Sequence, residues 1–315
     1  MDSEKEDIDI LHDFTLDLAF GMDENDFECS IIRSKHCCKA GQYLYFENCE
    51  YGGIIDDIGV DTDTDEVTYY GRTWHGILNT KVFSPDAGAD YIVLNGEANS
   101  VLAFLIERIG LSDLFAASTE DSGINIRNYK MDRYIYGYEG ICKMLKKFEA
   151  KLNIVFKEKF VVLSAKPIVD YSQDEQFDSS QIRLKIKKKG NPINHVICLG
   201  KGELSEREII HLYTDEKGNI VNTQILTGVK EVTGTYENTN ADSDELRQGG
   251  IDLIKESWNS DELEFDFDSD TESYDVGDIV GAREEVTEME VSAEITKKII
   301  TIKDNETTIF YKVGE

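Results

Sequence analysis

Residues 67–85, Val67-Thr-Tyr-Tyr-Gly-Arg-Thr-Trp-His-Gly-Ile-Leu-Asn-Thr-Lys-Val-Phe-Ser-Pro85, constrain the fold more than any other stretch of the chain. Strand-forming residues lead into a Gly71-Arg-Thr-Trp74 turn, and Pro85 ends the pattern because it cannot donate to a sheet ladder. The stretch separates a β-patterned N-terminal region from the first convincing helix. It reads as the place where one β-domain closes and the next element begins.

Upstream, Phe14, Leu16, Leu18 and Phe20 alternate with small or polar residues, the mark of a half-buried strand. Further strands are expected near Phe27–Ile32, Gln42–Asn48, Ile54–Ile58 and Val67–Trp74, a meander with tight turns. A helix capped by Asn95 follows, with Val101, Leu102, Leu105, Ile106 and Ile109 as its apolar stripe and Gly110 as its stop. A second helix is expected over Tyr138–Lys151 and a third over Asp242–Trp258, where Asp244 and Glu245 suit the helix dipole. Strands return at Leu152–Phe156, Phe160–Ala165, Gln181–Lys187, His195–Leu199 and Ile209–Tyr213, and the chain closes with a hairpin of Val291–Ile302 and Thr308–Val313. The expected fold class is α+β, mainly β. Its β-regions cover 1–85 and 153–240 with 259–315, interrupted by an α+β insertion at 86–152 and a helical insertion at 241–258.

Sixty-three Asp and Glu against 33 Lys and Arg give a formal charge of −30. Nonspecific binding to nucleic acid or to an anionic membrane is excluded by that balance, because phosphate contact needs cations to displace counterions. The six cysteines have no framework spacing and read as reduced thiols. An acidic start, Met1-Asp-Ser-Glu-Lys-Glu-Asp7, is unlike a signal peptide, and no apolar run is long enough for a membrane span. The expectation is a soluble protein made in the cytoplasm.

The constellations that could carry chemistry each lack a part. Asp61, Asp63 and Asp65 have calcium-loop spacing, but Glu66 and Arg72 stand where Gly and Glu are required, and Asp266, Asp268 and Asp270 fail the same test. Cys29, His36, Cys37, Cys38 and Cys49 lack zinc-knuckle spacing, and the adjacent Cys37 and Cys38 would project to opposite faces of a strand. Gly200-Lys-Gly202 is too short for a phosphate loop and reads as a turn. His75, His195 and His211 sit in no hydrolase motif and read as structural. No catalytic, cofactor or metal residue is expected.

Three segments together carry a resemblance: Tyr70-Gly-Arg-Thr-Trp-His-Gly-Ile-Leu78, Asn194-His-Val-Ile-Cys-Leu-Gly-Lys-Gly-Glu-Leu-Ser-Glu-Arg207 running into Ile210-His-Leu-Tyr213, and Tyr274-Asp-Val-Gly-Asp-Ile-Val-Gly-Ala-Arg283. In order and spacing they resemble the siphovirus ReqiPepy-type tail protein family, phage and prophage tail hubs similar in design to the T-even baseplate hub and to VgrG. The resemblance implies a homotrimer whose chains each supply two tail-tube-like β-barrel domains, the second holding a helical insertion. Its ring would join the tail tube to the distal tail tip or spike, with tail tube, distal tail, baseplate, spike or tape-measure proteins as partners. DNA would pass through the lumen unbound, and the location would be the virion tail or a tail-like bacteriocin particle. The chain ends just after its last hairpin, where larger relatives carry a peptidase or lysin extension, so a non-enzymatic role is expected. A peptidoglycan hydrolase and a carbohydrate-binding receptor protein are the alternatives. Gly71, Arg72, Trp74, Arg207, Trp258, Gly277 and Arg283 are the expected assembly and packing residues: the glycines for tight turns, the tryptophans for buried area, and Arg72 and Arg207 for pairing with carboxylates.

Overall fold

A computed structural model describes residues 1–172, 176–178, 184–187, 191–258, 262–269, 274–304 and 306–314. Contacts divide the chain into two compact units, Met1–Leu184 with Glu264–Glu315, and Lys185–Leu263. The class is α+β, mainly β. The expected strand over Gln181–Lys187 begins outside the described residues, as does the third acid of the Asp266, Asp268 and Asp270 set.

In the first unit, β1 (Phe14–Gly21), β2 (Asp26–Ile32), β3 (Tyr43–Tyr45), β4 (Gly52–Asp61) and β5 (Glu66–Thr73) pair antiparallel in the order β1-β2-β5-β4-β3. Alternation does what it promised. Leu16, Leu18 and Phe20, then Phe27, Cys29 and Ile31, then Val67 and Tyr69, are buried on one face. The strand after Asp65 stops one residue earlier than expected, and Trp74–Asn79 is a short helix, α1. Thr73 causes the switch: in extended conformation it accepts from the Gly76 amide with its side chain, an N-cap that turns the chain into the helix. Gly71, Arg72 and Thr73 therefore continue the strand and make no turn.

Next come β6 (Val82–Phe83), β7 (Ile92–Glu97), α2 (Ala98–Arg108), β8 (Phe115–Ala117), β9 (Asn125–Met131), β10 (Ile135–Tyr136), α3 (Gly137–Lys146), β11 (Ala150–Lys157) and β12 (Phe160–Pro167). The three helices and the small sheets β11-β12-β8, β7-β9 and β10-β6 share one core, centred on Trp74, Leu78, Phe83, Leu102, Phe115, Ile141 and Phe156. The cap of α2 is Glu97, not Asn95. Its carboxylate accepts from the amides of Asn99 (2.9 Å) and Ser100 (2.8 Å). Asn95 lies within β7 and accepts from the amide of Asn128 at 2.7 Å.

After β13 (Gln176–Asp178) and β14 (Leu184–Lys187), the second unit contains β15 (His195–Leu199), β16 (Ile209–Thr214), β17 (Ile220–Val221), β18 (Thr233–Glu237) and α4 (Ser243–Trp258). Its sheet runs β17-β16-β15-β18, with β18 parallel to β15. Helix α4, whose first amides are capped by the Asp242 carboxylate, covers one face. Val196, Cys198 and Leu212 meet Leu246 and Ile254 there.

The chain then returns through β19 (Glu262–Ser269), β20 (Ile279–Arg283), β21 (Glu290–Lys303) and β22 (Glu306–Val313). Strand β21 pairs with β1 from Leu16↔Ile302 to Gly21↔Lys297, so strands from both ends of the chain form one sheet, β19-β22-β21-β1-β2-β5-β4-β3. Buried cations reinforce this return. The Lys151 ammonium donates to Asp278 at 2.7 Å and to Asp275 at 2.6 Å, across more than 120 residues of chain.

Candidate assembly surface

The same alternation that fills the core through β1, β2, β5 and β4 dictates what their opposite face displays. Across the sheet Asp17 stands beside Glu28, Glu28 beside Tyr70, and Tyr70 beside Asp57. Asp26 lies beside Arg72, and a bulge in β4 places Asp56 there too. With Glu24, these residues line a hollow of about 500 Å³. Burial, followed by the neighbouring Glu24 charge, raises the carboxyls of both Asp17 and Asp26.

Two cations serve this face. Arg72 makes a bidentate pair with Asp56, Nε to Oδ2 at 2.7 Å and Nη2 to Oδ1 at 2.6 Å. Lys297 pairs with Glu24 at 2.6 Å and Asp23 at 2.9 Å. Asp17, Asp26, Glu28 and Asp57 have no ion-pair partner among the described residues, so the face remains negative.

The residues singled out in the sequence lie apart. Gly71 sits mid-strand, where a Cβ would stand 1.9 Å from the Ile54 carbonyl oxygen and 2.8 Å from the Phe27 ring. Close approach, not a turn, demands glycine there. Gly277, at φ +98°, does occupy a turn. Trp74 is fully buried and stacks on Phe156 with ring centroids 5.6 Å apart, which makes it an intrachain core residue. Trp258 is half-buried at the end of α4 and donates its indole N–H to the Ile193 carbonyl at 2.9 Å. Arg207 pairs with Glu237, and Arg283 stands 3.7 Å from Glu290. All three arginines meet carboxylates of their own chain.

The other constellations resolve individually. The Asp61 carboxylate accepts from the amides of Asp63 and Thr64 in the β4–β5 turn, and those bonds hold it below the usual carboxylate range. Gly200-Lys-Gly202 opens the turn between β15 and β16. Cys37 and Cys38 lie in a loop, so their sulfurs do not part as on a strand; they are 3.7 Å from each other. Burial, then the hydrogen bond with Cys37, pushes the Cys38 thiol up to about 11. His75 is buried between the Phe20 and Tyr138 rings and held down to about 3 by desolvation, then by the Lys298 charge. His195 and His211, unrelated by any sequence motif, lie within hydrogen-bond distance of each other. Only strand register reveals that pair and the carboxylate hollow.

No family model matches the chain, and no curated protein matches it by sequence. Solved structures do match. The prophage tail protein gp18 from Listeria monocytogenes EGD-e aligns with a TM-score of 0.56 at 12% identity, over 99% of this chain and 92% of that one. The 43 kDa tail protein of prophage MuSo2 from Shewanella oneidensis aligns at 0.55 and 10% identity, over 95% and 93%. The tail protein from Neisseria meningitidis MC58 aligns at 0.51 and 12% identity, over 96% and 91%. At these identities the likeness is one of fold. No described helix is long and apolar enough to cross a membrane.

Proposed function

We propose that the chain is a non-enzymatic tail hub, a homotrimer whose ring joins the tail tube to the distal tip or spike of a phage tail or tail-like particle. The observation that carries this reading is the negative face of β1, β2, β5 and β4, in a chain that shares its fold along nearly its whole length with two prophage tail proteins and a further bacterial tail protein. Turned toward a lumen, its carboxylates repel passing DNA phosphates over roughly 8–10 Å in physiological salt. The remaining surfaces then serve docking to tube, distal tail, baseplate, spike or tape-measure proteins.

Electron microscopy of the purified chain and of particles containing it tests the proposal. Threefold rings with an acid-lined channel support it. A chain that stays monomeric at high concentration and is absent from the particles overturns it. Zymography on cell walls tests the non-enzymatic part, which clear lysis by the purified chain would overturn.

A further inference from the structure

Helix α4 covers only one face of the second unit's sheet. On the other face, register aligns Tyr213, His195 and Thr233 in one row and His211, Ile197 and Thr235 in the next. His195 and His211 are therefore diagonal neighbours on adjacent strands, and His195 Nε2 stands 2.9 Å from His211 Nδ1. On the far side of the ring, His195 Nδ1 is 2.7 Å from the Glu231 carboxylate, to which Thr233 also donates at 3.1 Å. A carboxylate only accepts, so Nδ1 carries the His195 proton and Nε2 presents its lone pair. The Tyr213 ring, its centroid 4.7 Å from that of His195, packs against the imidazole.

A buried imidazole oriented by a carboxylate on one nitrogen, with its other nitrogen aimed at a second imidazole, is the arrangement that supports metal-ligating histidines. We infer that His195 Nε2 and His211 Nδ1 bind a first-row transition cation of the zinc class, with Glu231 fixing the ligating tautomer of His195. Two nitrogens at zinc-bond length and a tetrahedral angle stand about 3.4 Å apart. The 2.9 Å pair must therefore open by about half an ångström. The exposed His211 is the partner that shifts, since His195 is buried and held by Glu231. The cation takes the place of the proton on His211 Nδ1, and a proton is taken up at Nε2 of the same ring, so the neutral imidazole changes tautomer with no net proton release. Among the described residues no group of three His, Cys, Asp or Glu is placed to hold a metal. The remaining coordination positions belong to water, and the affinity is lower than that of a closed four-ligand site.

Titration of the full chain with zinc ion, followed by calorimetry, tests the site independently of the tail-hub proposal. His211→Ala removes an exposed side chain and leaves the fold intact, which circular dichroism checks. The expected result is one zinc ion per chain at this site, lost in His211→Ala and weakened about 10- to 100-fold in Glu231→Gln. With cobalt as the probe, ligand-field bands without a thiolate charge-transfer band identify nitrogen ligation. No binding by the unaltered chain, or binding that His211→Ala leaves unchanged, overturns the inference.

Discussion

The ammonium of Lys298 donates to Glu50 at 2.8 Å, although 248 residues separate them in sequence. The lysine side chain is 1% exposed and the glutamate 19%, with the rings of Phe20, Tyr51 and Tyr311 about the ammonium. This pair ties the C-terminal hairpin to the segment before β4 inside the fold. Removing one member of a buried pair strands the other charge, at about 3–5 kcal/mol. Lys298→Met should therefore lower unfolding stability by that order in urea titration, and adding Glu50→Gln should restore part of the loss. A single variant as stable as the parent would refute a structural role for the pair.

His75 makes stability fall in acid. Its folded value of about 3 lies below the ordinary 6.5, so the unfolded chain takes up a proton that the folded chain refuses. The contribution is flat above pH 6.5, declines by about 1.4 kcal/mol per unit below it, and levels off near the folded value. Its Nδ1 has no hydrogen-bond partner among the described residues, so His75→Leu removes the slope without breaking a bond to that atom there. Stability curves of parent and variant that run parallel from pH 7 to pH 4.5 would count against this.

Glu97 acts in the same direction as His75 but in a lower pH window. Burial pushes its carboxyl up, but hydrogen bonds from Ser122 and the amides of Asn99, Ser100 and Ser122 outweigh that and hold it at about 2. Its stabilisation is complete above the unfolded value of 4.5 and is lost as pH falls toward 2. Glu97→Ala should cost about 1–2 kcal/mol at neutral pH, the worth of a helix cap. The loss should shrink in acid, as paired denaturation curves can measure.

Gly71→Ala places a methyl 1.9 Å from a backbone oxygen of the adjacent strand. Backbone yields less readily than a side chain, so the cost should exceed the usual overpacking range of about 1–3 kcal/mol. Low soluble yield, or a strongly lowered melting temperature, is the expected result.

Neutralising the acidic face should leave folding unharmed. Asp17→Asn with Glu28→Gln removes like charges, so stability should hold within about 0.5 kcal/mol or rise. Asp17→Lys, Glu28→Lys and Asp57→Lys together move the formal charge of −30 by only about six units, so neither this variant nor the parent should retard duplex DNA in a gel. Retardation by the parent itself would contradict the proposed repulsive lumen.

Much of the local structure was legible in the sequence because periodicity is a local property. Alternation from Phe14 to Phe20 marked Leu16, Leu18 and Phe20 as buried, although Ala19 on the opposite face is buried too and Phe14 only half so, and the stripe from Val101 to Ile106 marked a helix. The helix at Trp74 was hidden, since its single capping threonine sits inside a run of strand formers. Asn95 was the conventional capping residue, yet tertiary folding brought Ser122 to Glu97 and made the carboxylate the cap.

By itself, then, the sequence determined the mainly β character, the acidic balance and the positions of most strands and helices. Tertiary structure alone decided that β1 pairs with β21, that Lys298 meets Glu50, and that His195 faces His211. The physical reason is register. Alternation tells a strand which face of each residue is buried but not which distant strand will lie beside it. That choice comes from the whole core closing at once, and it places two imidazoles side by side and gathers the carboxylates of β1, β2 and β4 on one face.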